Sequence, residues 1–400
     1  MKIVQINTVC GTGSTGKIAV DIYQLSENAG YESFIAYGRG NAPDKIQGYK
    51  IGNPLDFVSH VLVNFFLGKS GFGSKAVTRR FLQWLDQIQP DLLHLHNLHG
   101  FYIHVGMLFE YIKARNLPVV WTLHDCWPLT GQCAFFDYTG CQKWQSACYE
   151  CPVFRTSYPY SLFKDNSREN YSIKQKAFCN VNNLTIVTPS QWLSDIVSLS
   201  YLKHYPRLVI PNGIDLTLFH PMPDAAMQPA SKRIILGVAN VWERRKGFEA
   251  FLDLDSMLDP SWQIVLIGVS KKQQTLIRKR CNHTLGLLRT ATQEELAAWY
   301  SRAYVYVNPT LEDNFPTTNL EALACGTPVI TYRTGGSPEC LNNTCGIAVE
   351  KGNIQMLKKA IASLENHSHI NSKACRKQAE NYEKSICFQR YIDLYTKIIR

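Results

Sequence analysis

From residue 2 to residue 332, short apolar runs of strand length alternate with segments long enough to form a helix. Lys2–Thr8, Ser33–Tyr37, Asp91–His96, Pro118–Leu123 and Leu184–Thr188 make one series. Arg207–Ile210, Arg233–Val238, Gln263–Gly268, Tyr304–Val307 and Pro328–Thr331 make a second. The first intervening segment, Ile18–Ala29, places Ile18, Ile22 and Leu25 on one helical face. Parallel strands are covered on both faces, so they read as continuous apolar runs, and each needs a crossover about as long as a helix. The rhythm predicts an α/β chain with two parallel sheets in tandem. A length of 400 residues agrees, being more than one ordinary core accommodates. The expected division is 1–204, 205–383 and a terminal helix over 384–400, with Met222–Ser231 as a Pro-, Ala- and Met-rich loop. Ligands of open α/β sheets bind beyond the carboxyl ends of the strands, so a cleft between the two domains is the expected site.

Composition narrows the partners. The net charge is +10, and the basic excess is spread over both halves without a basic tail or a basic, aromatic-interleaved motif. That pattern suits phosphorylated small molecules or an anionic membrane face and excludes a nucleic-acid binder. The amino terminus runs from a strand straight into glycines without the regions of a signal peptide, and no apolar run reaches 18 residues. With 13 cysteines, an odd number, the expectation is a cytoplasmic chain with reduced thiols.

Three stretches carry chemistry. Gly11-Thr12-Gly13-Ser14-Thr15-Gly16-Lys17 follows the first strand, where glycines let backbone N–H groups approach a phosphate. Ile18 breaks the Walker spacing, and a tight turn without a ligand is the alternative. Asn308–Ile330 combines a strand end, an acidic loop, a helix over Thr317–Cys325 and a Gly-Thr-Pro turn. Asp313 precedes that helix and Glu321 lies within it; carboxylates there accept from sugar and ribose hydroxyls, and the helix start meets a diphosphate. The alternative is a helix with solvated acids. His94-Leu95-His96-Asn97 and Thr122-Leu123-His124-Asp125 end two strands of the first series, where imidazoles can face a ligand or serve the core.

Asn308–Ile330 resembles the signature of the retaining glycosyltransferases of family 4, with two acids separated by seven residues and followed by Ala and a Gly-x-Pro turn. The resemblance implies the GT-B fold: two Rossmann-like domains facing across a cleft. It also implies transfer of a hexosyl group from a nucleoside-diphosphate sugar to a glycan or undecaprenyl-linked acceptor, as in bacterial surface-polysaccharide and lipopolysaccharide assembly. His124, Asp313 and Lys246 take catalytic positions by this resemblance. Gly13, Gly213, Arg245, Asn314, Phe315, Glu321 and Gly336 take donor-binding ones, and His96 and Asn97 shape the acceptor side. Lys246-Gly247 matches the family's Lys-Gly against the diphosphate, whereas the preceding Arg falls near Asn240, so Arg244 or Arg245 is the candidate substitute. Pro211–Asp215 resembles the turn after the second domain's first strand, Thr334–Glu339 a loop near the donor, and Val265–Gly268 a strand end beside the nucleotide. Pro316 replaces a glycine and removes one N–H. No catalytic cofactor is implied; Asp253-Leu254-Asp255 imitates a metal motif but reads as solvated acids on a helix.

Cys133, Cys141, Cys148 and Cys151 lie in a Cys-rich insertion over 126–151, ending in C-x-x-C. They are candidates for a structural zinc, with ordinary buried thiols as the alternative. Phe57–Leu85 carries Phe57, Val58, Val61, Leu62, Phe65, Phe66 and Leu67, followed by Lys69, Lys75, Arg79 and Arg80. That order suits peripheral contact with the inner face of a plasma membrane or a core-facing helix. Two other functions fit the chain: a sugar-nucleotide epimerase of the same fold, which needs no acceptor, and a non-catalytic glycan-binding subunit.

Overall fold

The computed structural model describes residues 1–222 and 232–399; most of the expected Met222–Ser231 loop lies outside them. The chain forms two compact units, Met1–Pro211 with Cys387–Arg400, and Asn212–Ile386.

The first unit holds a seven-stranded parallel sheet: β1 (Lys2–Val9), β2 (Glu32–Arg39), β3 (Gly48–Lys50), β4 (Leu92–Leu95), β5 (Val119–Thr122), β6 (Leu184–Thr188) and β7 (Arg207–Val209). Their spatial order is β3-β2-β1-β4-β5-β6-β7. β1 is buried along nearly its whole length, the signature of a strand covered on both faces. Helix α1 (Gly13–Asn28) starts earlier than its apolar spacing indicates, because the glycine loop itself forms its first turn.

The second unit holds β8 (Arg233–Val238), β9 (Trp262–Ile267), β10 (Thr284–Leu287), β11 (Val305–Asn308), β12 (Val329–Tyr332) and β13 (Gly346–Val349), ordered β10-β9-β8-β11-β12-β13 and all parallel. β3, β10 and β13 are additions to the expected strands; they are short or half-exposed edges with little apolar signal.

Three expectations need correction. Arg207–Val209 does not open the second sheet: it pairs with Ile186–Thr188, so the first unit extends past residue 204 to Pro211. The helix Lys384–Ile399 is not a separate element, because Cys387 onward belongs to the first unit, burying Phe388, Tyr391, Ile392 and Tyr395. Asp255 is also not a solvated acid. It is buried and accepts from the N–H groups of Asn282 and His283 and the Thr284 hydroxyl at 2.6–2.9 Å, fixing the start of β10.

Candidate active site

In each sheet the winding direction reverses beside the first strand. β1 lies between β2 and β4, and β8 between β9 and β11. Loops leaving the carboxyl ends of strands at such a reversal diverge and leave room for a ligand. In the first unit these are the glycine loop after β1 and His96–Gly100 after β4. In the second they are Ala239–Gly247 after β8 and Pro309–Pro316 after β11.

The second pair of loops is stitched together. The Arg245 carbonyl accepts from Leu311 N at 2.6 Å and Thr310 Oγ1 at 3.1 Å, and the Arg245 guanidinium donates to the Glu312 carbonyl at 3.1 Å. Gly247 sits at φ +76°, and a Cβ there would fall 2.1 Å from the Pro309 oxygen. Across this seam Lys246 Nζ pairs with Asp313 Oδ2. The side chains are 24% and 16% exposed, so the pair is sheltered yet open to a ligand. Burial by itself would raise the Asp313 carboxyl, but the Lys246 and Arg245 charges hold it below its ordinary range. Burial holds the Lys246 ammonium below its ordinary value despite Asp313.

The Thr334–Glu339 loop closes over the same residue. Gly336 N–H donates to the Asp313 carbonyl at 3.2 Å, and a Cβ at Gly335 (φ +54°) would fall 1.9 Å from that carbonyl oxygen. Asn319 ties the start of the Thr317–Ala324 helix to β11 and to Ser337, through bonds of 2.8 and 2.9 Å with Asn308 and the Ser337 carbonyl. Glu321 on that helix accepts from the Tyr300 hydroxyl at 2.9 Å. The helix start has no side-chain cap, leaving its first-turn amides to be satisfied in another way. The structure therefore brings Arg245, Lys246, Asp313, Asn314 and Gly336 into one constellation, with Asn314 N–H donating to Asp313 Oδ1 at 3.0 Å. Gly213 joins it indirectly, since Asn212 Nδ2 donates to the Phe315 carbonyl at 3.0 Å. The Phe315 ring itself is buried against Tyr382. The Pro211–Asp215 turn follows the last strand of the first sheet, not the first strand of the second, and Asp215 pairs with Lys384 at 2.8 Å.

In the first unit the histidines form a network. His96 Nδ1 meets His124 Nε2 at 3.0 Å, and His96 Nε2 meets Gln5 Oε1 at 3.0 Å. His94, on the same strand, bonds Tyr395 Oη at 2.6 Å and Thr122 Oγ1 at 2.8 Å, while Thr122 donates to Tyr391 at 3.0 Å. Burial, aided by neighbouring imidazoles, lowers His94 and His96 well below 6.5, and burial lowers His124 to about 4. These rings are neutral at pH 7. His124 is half-buried, whereas His96 is fully buried beneath it and orients it. Asn97 lies at the loop start, its N–H on Asn7 Oδ1 at 3.3 Å. Gly13 opens α1 at φ +64° with no atom within 4 Å of where a Cβ would stand, and the helix lacks a side-chain cap.

The sequence motifs contain His94 and Asp125 without a specific role for either, and they give no sign of His99, Tyr300 or the two C-terminal tyrosines. His99 Nε2 and Asp125 Oδ2 lie 2.6 Å apart, 26 residues apart in sequence. The strand-end pattern of His94, His96 and His124 was the available signal for the network; nothing local marks the tyrosines. Among the described residues, no group of three or more His, Cys, Asp or Glu side chains stands close enough to hold a metal ion. Likewise, no helix is long and apolar enough to cross a membrane.

Known proteins resemble this chain over both units. Residues 19–218 match the family described as Glycosyltransferase Family 4, and residues 225–384 match Glycosyl transferases group 1. A putative colanic acid biosynthesis glycosyl transferase of Escherichia coli, WcaC, is 24% identical over 100% of both chains. Of solved structures, sucrose-phosphate synthase from Thermosynechococcus elongatus superposes with a TM-score of 0.76 at 18% identity, covering 100% of this chain and 99% of that one. Anabaena HepE in complex with UDP-glucose gives 0.70 at 14%, covering 99% and 100%. At such identities the structural likeness speaks for the fold alone, a GT-B architecture of two Rossmann-like units.

Proposed function

Because this chain belongs to glycosyltransferase family 4, we propose that it is a retaining hexosyltransferase taking its sugar from a nucleoside diphosphate. The acceptor in this reading is a glycan or an undecaprenyl-linked glycan of bacterial surface-polysaccharide assembly. The observation that carries it is the Lys246–Asp313 pair at the reversal point of the second sheet. As the bond from anomeric carbon to phosphate breaks, negative charge grows on the diphosphate and positive charge on the sugar. A sheltered ammonium and the amides opening the Thr317–Ala324 helix stabilise the first; an ionised Asp313 faces the second and orients the ring. Glu321, steadied by Tyr300, accepts from the donor's ribose. His124 is neutral, so it serves as a hydrogen-bonding partner for sugar hydroxyls, with His96 setting its orientation. Gly13 and Asn97 complete the acceptor-side loops.

A lipid-linked acceptor draws support from α2 (Pro54–Leu67). Its buried residues are His60 and Asn64, while Leu55, Val58, Leu62 and Phe66 face outward. Phe163 stacks on Phe66 and is 65% exposed, which enlarges the apolar face. An outward apolar stripe near Lys69 and Lys75 suits an anionic bilayer surface, and in this reading the enzyme works at the cytoplasmic face of the plasma membrane.

The test is a panel of nucleoside-diphosphate sugars, each incubated with and without a lipid extract as acceptor source. Nucleotide release that depends on the acceptor, with product anomeric configuration matching the donor by NMR, is expected. Isomerised donor without acceptor would establish an epimerase, and binding of glycan without any release a non-catalytic subunit. For the membrane face, flotation with anionic vesicles is expected for the parent and lost in Leu62→Glu/Phe66→Glu.

A further inference from the structure

The insertion between β5 and the helix Ser167–Phe178 is held together by little regular structure. From Leu123 to Asn166 it contains three single turns, Trp127–Leu129, Asp137–Thr139 and Lys143–Gln145, and otherwise loops. Segments this long and irregular are uncommon in compact domains unless something other than a backbone ladder ties them down. Its thiols are the available ties, and all of them are free cysteines.

Cys133, Cys141, Cys148 and Cys151 all line one cavity of about 10 Å³, room for a single water-sized occupant. The Cys133 and Cys151 side chains meet within hydrogen-bonding reach. The backbone already treats two of these sulfurs as acceptors: Gly131 N–H donates to Cys148 Sγ at 3.1 Å, and Val153 N–H to Cys151, two residues on. N–H groups turned toward sulfur in this way are the contacts that orient a ligating sulfur. Glu150, inside the C-x-x-C, adopts a left-handed φ of +44°, which folds the pair back on itself.

Cations and a donor surround the cluster. Lys143 Nζ donates to the carbonyls of Tyr149 and Glu150, both at 3.1 Å, clamping the turn between Cys148 and Cys151. Lys174 is fully buried and donates to the carbonyls of Trp127 and Thr130 at 2.8 and 3.1 Å, holding the strand of loop that carries Gly131. Ser167 also lines the cavity; its hydroxyl is buried without a hydrogen-bond partner among the described residues and is a donor suited to a thiolate. A buried lysine, two N–H···S bonds and an unpaired hydroxyl around four cysteines serve no purpose in an apolar pocket. They suit a site of net negative charge.

We propose that Cys133, Cys141, Cys148 and Cys151 bind one zinc ion as a tetrathiolate, a structural site that folds the insertion after β5. Binding releases the thiol protons, and a Zn²⁺ with four thiolates leaves a net charge of about −2 for Lys143 and Lys174 to offset. The side chains as they stand are not yet in ligand register, so loading requires the sulfurs to turn about their Cα–Cβ bonds until each lies about 2.3 Å from a common centre. The site is independent of the proposed transfer reaction and stands whether or not that reading does.

The test is metal analysis of the full chain, purified under reducing conditions without chelator, then reduced and titrated with Zn²⁺ and Co²⁺. About one zinc per chain is expected, falling at least tenfold in Cys148→Ser/Cys151→Ser and unchanged in Cys281→Ser, a cysteine of the second unit. Should the double variant fail to fold, the parent decides alone. Cobalt uptake with tetrahedral d–d bands and sulfur-to-metal charge transfer sustains the site. A reduced, folded parent that takes up neither metal overturns it, as does a disulfide among the four in the freshly purified chain.

Discussion

The two units carry different polar groups beside the reversals of their sheets. The first keeps His60, His94, His96 and His124 uncharged, each ring pinned by hydroxyl, amide or imidazole partners. The second keeps a charged pair, Lys246 with Asp313, at the corresponding reversal of its sheet. Neutral rings hold their orientation without an uncompensated charge, which suits recognition of sugar hydroxyls. A sheltered ion pair holds charge ready in surroundings where it acts strongly, which suits a leaving group that becomes more anionic. The difference teaches that one strand order can present two kinds of polar group, chosen by what its diverging loops carry.

The largest expected effect tests what holds the neutral network. Deleting Cys387–Arg400 removes Phe388, Tyr391, Ile392, Leu394 and Tyr395 from the first core. At roughly 1.5–3 kcal/mol for each large side chain, that is about the whole stability of a domain. Hydrogen exchange should show β4 and β5 unprotected while β8 and β11 stay protected; equal protection in both units would break the comparison.

Next comes the charged pair. Lys246→Ala should lower kcat/KM about 100- to 1,000-fold, as should Glu321→Ala, without loss of the folded state by circular dichroism. Lys246→Ala also leaves Asp313 without its cation, costing up to about 3 kcal/mol. Lys246→Met/Asp313→Leu should recover that stability but no turnover. Full activity in any of these would mean that the charge is not where the chemistry is.

Acid separates the units. The folded pKa of each of the four imidazoles lies below the unfolded value near 6.5, about 3 for His60 and about 4 for His124. The unfolded chain therefore binds more protons on acidification. Their contribution is complete above about pH 6.5 and drains away as pH falls, by about 1 kcal/mol per imidazole at pH 5.5. Asp313 has the opposite ordinary charge, and its carboxyl is held below the unfolded value. Its contribution is present above about pH 4 and is lost only below that. Thermal unfolding scanned from pH 7 to pH 4 should show the first unit losing stability ahead of the second; the reverse order would contradict the neutral-ring reading.

Two glycines make a smaller contrast. Gly335→Ala drives a Cβ into the Asp313 carbonyl and should cost both stability and turnover, whereas Gly13→Ala meets open space and should cost about 1 kcal/mol of backbone strain. Equal effects on turnover would place Gly13 as close to the chemistry as Asp313. Smallest is Tyr391→Phe, which removes one hydrogen bond from Thr122 and should lower stability by about 1 kcal/mol in chemical denaturation.

Much of this was legible locally. Leu184–Thr188 and Arg233–Val238 have the boundaries their apolar runs indicate, and the helix after Asp313 ends one residue short of expectation. The rest depended on partners remote in sequence. His94 meets Tyr395 across 301 residues, and no local pattern announces that. Asp255 looks like a surface acid on a helix until β10 arrives to use it. On α2 the apolar residues left a membrane-facing and a core-facing helix both open, and the core took His60 and Asn64 because each found a hydrogen-bond partner there.

The amino-acid order by itself determined two parallel sheets, the loops that leave their strand ends, and the acids, cations and imidazoles those loops carry, since period and turn chemistry act over a few residues. Tertiary structure alone decided that Arg207–Val209 completes the first sheet, that the last helix returns to that unit, and which charges are paired. Those outcomes rest on strand pairing and burial between separate segments, and a contact between residues tens or hundreds of positions apart leaves no mark on either neighbourhood.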